Sequence, residues 1–140
     1  MEAPEMLRTK RNRATRRRAA AVVEMAVVTP FLLTLVFGII EFSWAMSVQQ
    51  TLTNAAREGC RTAVIKGTSE QDVLDRVDNY MSLSGLEGYW VNVDRSEPND
   101  PTETVSISIY YGNISLVGGY FPILDSKTLT GACAMRKEGT

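Results

Sequence analysis

The stretch Ala19-Ala-Ala-Val-Val-Glu24-Met-Ala-Val-Val-Thr-Pro30-Phe-Leu-Leu-Thr-Leu-Val-Phe-Gly38-Ile-Ile-Glu41 decides how the rest of the chain is read. Residues 25–40 are uncharged and mostly apolar, and a glutamate stands at either end of them. A membrane-spanning helix needs about 20 apolar residues. Either residues 19–23 and 42–48 complete the span, or the two glutamates lie within the bilayer. Pro30 and Gly38 are both tolerated in membrane helices, where neighbouring groups satisfy the freed backbone. A bend is expected in the turn before Pro30, because its ring crowds the carbonyl of Ala26. An acid at membrane depth is costly and usually has a partner, which points to a segment built for assembly.

The flanks set the orientation. Residues 1–18 carry seven basic side chains (Arg8, Lys10, Arg11, Arg13, Arg16, Arg17 and Arg18) against Glu2 and Glu5. That head has a net charge of +5, which leaves −6 for the rest of a chain whose total is −1. A basic head before an apolar run follows the positive-inside rule: the N-terminus stays in the cytoplasm and the acidic part crosses the membrane. An Arg cluster abutting a span reads as a topology signal, so no nucleic-acid partner is implied. The competing reading, a secretory signal cut after Ser43-Trp-Ala45, conflicts with an apolar run longer than the usual 7 to 15 residues and with a helical period that crosses that point unchanged.

No helix breaker follows Glu41. Val48, Leu52, Ala56, Cys60 and Val64 recur at four-residue steps with Ala55, Gly59 and Ala63 beside them, while Gln50, Asn54, Arg57, Glu58 and Arg61 fill the other face. The spacing predicts one helix from about Ala19 to Lys66, roughly 72 Å long at 1.5 Å per residue. Ser69 is placed to cap a second, shorter helix with Glu70, Gln71 and Asp72 in its first turn, an apolar stripe of Val73, Leu74, Val77, Tyr80 and Met81, and a stop at Gly85.

The period then changes from helical to alternating. Residues 89–94, 105–111 and 128–135 each read as a strand, with Pro98 and Pro101 in the turn between the first two. This is an α+β order: a long N-terminal helix, transmembrane then amphipathic, a second short helix and a small three-stranded antiparallel sheet packed on the outer half of the long helix. The expected organisation is a basic cytoplasmic leader over residues 1–19, a transmembrane segment over 20–45 and an extracytoplasmic domain over 46–140. Cys60 on the helix stripe and Cys133 on the apolar face of the last strand belong to the two surfaces that must meet. They form either a disulfide in an oxidising compartment or a pair of buried thiols.

The remaining composition excludes more than it offers. The chain has no histidine, hence no imidazole base and no imidazole zinc ligand, and it lacks any phosphate-binding glycine loop or nucleophile triad. It reads as a non-enzyme with no cofactor and no metal site. Asp94, Glu97, Asp100 and Glu103 match no calcium-loop spacing and read as a solvated acidic turn. Ile114, Leu116, Val117, Tyr120, Phe121, Ile123 and Leu124, in an unusually apolar loop, read as filler for a small core.

Three blocks carry a resemblance: residues 19–30, Phe37-Gly-Ile-Ile-Glu41-Phe, and Gln49-Gln-Thr-Leu-Thr-Asn-Ala-Ala-Arg-Glu58-Gly, with Lys127-Thr-Leu-Thr-Gly-Ala-Cys-Ala-Met-Arg as a fourth near the C-terminus. Together they resemble the TadE-like pseudopilins of tight-adherence (Flp, type IVc) pilus systems. The resemblance implies a pilin-like fold and a minor pilin-like protein of the bacterial inner membrane that builds or primes an adhesive pilus. It also implies other pilins, the pilus assembly machinery and a prepilin peptidase as partners. Relatives are cut so that the glutamate becomes the fifth residue of the product, which here places the cut between Ala19 and Ala20. Ala19 stands where the family commonly has glycine, and Met25 where an aromatic is common. The new α-amino group at Ala20 then pairs with Glu24 of a neighbouring subunit, the alternative being that Glu24 snorkels to the cytoplasmic interface as a boundary acid beside Arg17 and Arg18; Glu41 is the second candidate for such pairing, with an acid at the outer interface as its alternative reading.

Overall fold

The computed structural model describes residues 4–95, 101–118 and 124–137, with side chains from Arg17 onward. Helix α1 (Pro4–Ala63) is followed by α2 (Glu70–Ser82), β1 (Tyr89–Asp94), β2 (Thr102–Tyr110), a 3-10 turn at Tyr111–Asn113 and β3 (Thr128–Arg136). The α+β order expected from the sequence is the order observed. The chain divides into two compact units, Met1–Ile40 and Glu41–Thr140.

In the first unit α1 begins at Pro4, well before Ala19. Proline suits a first helical turn, where its missing N–H has no partner to lose, and the Arg, Lys and Ala that follow are good helix formers. The helix also continues through Pro30. Thr29 Oγ1 donates to the Met25 carbonyl at 2.7 Å and Thr34 Oγ1 to the Pro30 carbonyl at 2.8 Å, so hydroxyls bond carbonyls one turn back on either side of the proline. The apolar side chains of this segment face outward all round, Phe31 being 74% exposed.

In the second unit the sheet is an antiparallel meander in the order β1-β2-β3. Val91 lies opposite Ile107, which lies opposite Gly131, so one face collects Val91, Val93, Val105, Ile107, Ile109, Leu129 and Cys133. That face forms a common core with Val48, Leu52, Ala55, Ala56, Cys60 and Ala63 of α1 and with Val73, Val77 and Met81 of α2. The approach is close because small residues line it. A Cβ on Gly131 would collide with the backbone of Leu52 and Thr53, whereas one on Gly59 would meet only the side-chain atoms Val77 Cγ2 at 2.9 Å and Val105 Cγ1 at 3.0 Å.

Helix ends differ from the sequence expectation by a few residues. α1 stops at Ala63 rather than Lys66, and Gly67 at φ 88° provides the left-handed turn that a side chain would resist. Ser69 caps α2 in a reciprocal box: its Oγ accepts from the Asp72 N–H at 3.2 Å, and its own N–H donates to Asp72 Oδ2 at 2.8 Å. α2 ends at Ser82, ahead of Gly85, because Ser84 turns both its N–H (2.9 Å) and its hydroxyl (2.6 Å) onto the Met81 carbonyl. An ion pair between Arg76 and Glu58 at 3.1 Å ties α2 to α1. Tyr111 leaves the strand pattern and opens the 3-10 turn. Most of the turn between β1 and β2, residues 96–100, lies outside the described residues.

Candidate functional site

Glu24 lies on α1 with Val22, Val23 and Met25 exposed around it, and among the described residues it has no ion-pair partner. Ala19 and Ala20 are exposed on the same helix. This helix is long and apolar enough to cross a membrane.

Glu41 is the opposite case. It is 3% exposed, and its partners are intrachain. Tyr111 Oη donates to Oε1 at 2.9 Å, and the N–H groups of Leu116 and Val117 donate to Oε2 at 3.2 and 3.1 Å. One turn on, Trp44 Nε1 donates to the Ile114 carbonyl at 2.7 Å. Two helix side chains thus hold the chain that follows β2, and Ile114 between them is buried in the core. The geometry gives Glu41 a structural role in its own chain. Burial, then the bond to Glu41, pushes the Tyr111 phenol up to about 12. The sequence carried half of this signal, an acid out of place on an apolar stripe, but nothing in it linked Glu41 to residues some seventy positions later.

Residues 19–61 match the family model of TadE-like protein. The match is consistent with a TadE-like pilin family protein and covers both glutamates. No curated protein and no solved structure matches the chain. The TadE-like segment therefore holds Glu24, Glu41 and Cys60, while the sheet that completes their surroundings lies beyond it.

Cys60, from the TadE-like segment, meets Cys133 of β3 as both sequence positions require. Both are free thiols, and Cys60 Sγ donates to the Cys133 carbonyl at 2.9 Å. Burial pushes the Cys60 thiol up to about 12, with the Cys133 thiol adding to the effect, so it is protonated and unreactive at neutral pH.

Glu103 departs from the solvated acidic turn expected of it. It is 1% exposed, and it sits on the inward parity of β2 with Val105, Ile107 and Ile109. Lys137 Nζ reaches its Oε1 at 3.3 Å and Arg95 Nη1 its Oε2 at 3.6 Å. Extending the period of two backward from Val105 would have found it. The expected partners Glu97 and Asp100 lie outside the described residues. Among the described residues no group of three or more His, Cys, Asp or Glu is placed to hold a metal ion. Of the apolar loop, Ile114 is core, Leu116 and Leu124 are exposed, and Tyr120, Phe121 and Ile123 lie outside the described residues.

Proposed function

We propose that this chain is a minor pilin-like subunit, a pseudopilin, for assembly or priming of a tight-adherence pilus. It is held in the bacterial inner membrane by α1 with its N-terminus in the cytoplasm and the unit from Glu41 onward in the periplasm. The observation that carries the reading is the unbroken outward-facing apolar surface of residues 22–40 with Glu24 inside it, on the segment that matches the TadE-like family. Such a surface is stable in lipid, but an ionised acid within it costs about 3 kcal/mol on membrane-insertion scales. Cleavage between Ala19 and Ala20 by a prepilin peptidase would remove the basic leader and create an α-amino group. Pairing that amine with Glu24 of a neighbouring pilin lowers the cost of both charges and fixes the register of the two helices. Glu41 takes no part in this pairing, since its oxygens already bond the Tyr111 hydroxyl and two backbone N–H groups.

Sequencing the mature N-terminus tests the reading. A start at Ala20 is expected. An intact Met1 would favour an uncleaved single-pass periplasmic binding or adhesion module, and a start near Met46 would favour a secretory signal and a soluble product.

A further inference from the structure

The sheet ends in two edges of opposite charge. At the two ends of the β2–β3 register, the Tyr111 N–H donates to the Lys127 carbonyl and the Lys137 N–H to the Pro101 carbonyl, each at 2.8 Å. Hydrogen-bonded and non-bonded pairs alternate in an antiparallel ladder. The odd-numbered residues of β3 therefore bond to β2, and Thr128, Thr130, Ala132, Ala134 and Arg136 turn their N–H and C=O groups outward. Gln49 Nε2, donating to the Thr130 carbonyl at 2.7 Å, approaches from that outer side. Carried across β2, the same alternation turns Tyr89, Val91 and Val93 outward on β1.

The β3 edge is cationic. Residues 42–57 and 126–137 contain no carboxylate, and Arg57, Lys127 and Arg136 are exposed. Gln49 and Arg57 also line a polar groove of about 260 Å³ with Gln50, Thr53 and Asn54. The β1 edge carries Glu87 and Asp94 exposed at its ends, Arg95 beside Asp94 being turned to Glu103 and the Thr68 carbonyl, and Asp78 accepts from the Tyr89 hydroxyl at 2.8 Å. Pairing like edges would set like charges against each other, whereas pairing unlike edges matches them.

We propose that the β3 edge of one copy of this chain pairs with the β1 edge of a second copy, Lys127 facing Glu87 and Arg136 facing Asp94. Both strands run antiparallel to β2, so they share a direction and a copy repeated in the same sense presents β1 parallel to β3. Lys127 and Arg136 are about 30 Å apart along a strand, and Glu87 and Asp94 about 23 Å, a difference within the reach of long basic side chains. Because the two surfaces differ, the contact leaves a free β3 and a free β1 for further copies. The contact uses only residues from Glu41 onward, so it stands apart from the role of Glu24.

The test mixes isotope-labelled and unlabelled full-length protein in detergent micelles and treats it with a carbodiimide, which joins a carboxylate to an amine in contact. An amide between Lys127 of one copy and Glu87 of another is expected. Lys127→Glu with Arg136→Glu should weaken association roughly ten-fold, and mixing that variant with Glu87→Lys/Asp94→Lys should restore it. Ala132→Pro removes an outward N–H at an edge position and should also weaken association. The proposal is overturned by protein that stays monomeric, by association unchanged in the charge-reversed pair, or by association that survives Ala132→Pro.

Discussion

Glu24 and Glu41 are the same residue type in one helix, and their surroundings give them opposite tasks. Glu41 exchanges water for the hydroxyls of Tyr111 and Ser115 and two backbone N–H donors. Hydrogen bonds to a charged group contribute about 1.5–3 kcal/mol, and orphaned buried partners add their own cost. Glu41→Ala should therefore destabilise the protein by about 3 kcal/mol and Tyr111→Phe by about 1 kcal/mol. Urea unfolding of the full chain in micelles, followed through tryptophan fluorescence, measures both; equal or negligible losses would remove the structural role given to Glu41. Titration provides a second test. Cys60, Tyr89 and Tyr111 are neutral when protonated, and in the folded state burial first, with neighbouring groups, raises each from its ordinary 9 or 10 to about 12. The unfolded chain loses these protons first, so their contribution is intact below about pH 9 and drains away as pH rises toward 12. The urea midpoint should fall between about pH 9 and about pH 11; a flat or rising midpoint would contradict these environments.

Among the elements, the tightest constraint is the crossing of β3 over α1. A methyl group on Gly131 meets helix backbone, which cannot move aside, while one on Gly59 meets valine side chains, which can. Gly131→Ala should cost about 3 kcal/mol and Gly59→Ala about 1 kcal/mol. The order of the two melting temperatures checks this, and the reverse order would mean that the helix and sheet are not held as described. Element type and sequence order were readable beforehand because each periodic run is uninterrupted: the helical stripe from Val48 to Ala63, the capping box at Ser69 and the alternation through Val105, Ile107 and Ile109 all appear where expected. Positions that depend on tertiary contact were not readable. The burial of Glu103 was readable from the alternation through Val105, but its ion-pair partners Lys137 and Arg95 were not. The Glu41 cradle needed backbone N–H groups, which no residue type announces. α1 continues through Pro30, with Thr29 and Thr34 bonding backbone carbonyls one turn back on either side of it.

In the whole molecule, two units divide the labour. Residues 22–40 present apolar side chains outward with Glu24 among them, and residues from Glu41 onward bury a core whose acids, Glu41 and Glu103, have intrachain partners. Among the described residues, the deeply buried carboxylates Glu41 and Glu103 are answered within the chain, whereas Glu24 on the apolar helix surface has no ion-pair partner. The central claim is that a neighbouring subunit answers it. The most direct measurement is co-purification of Glu24→Leu with other pilus subunits from solubilised membranes, scored against its own amount in the membrane. Full membrane insertion is expected, with loss of the co-purifying subunits and of assembled pili. Wild-type recovery of both from Glu24→Leu would contradict it.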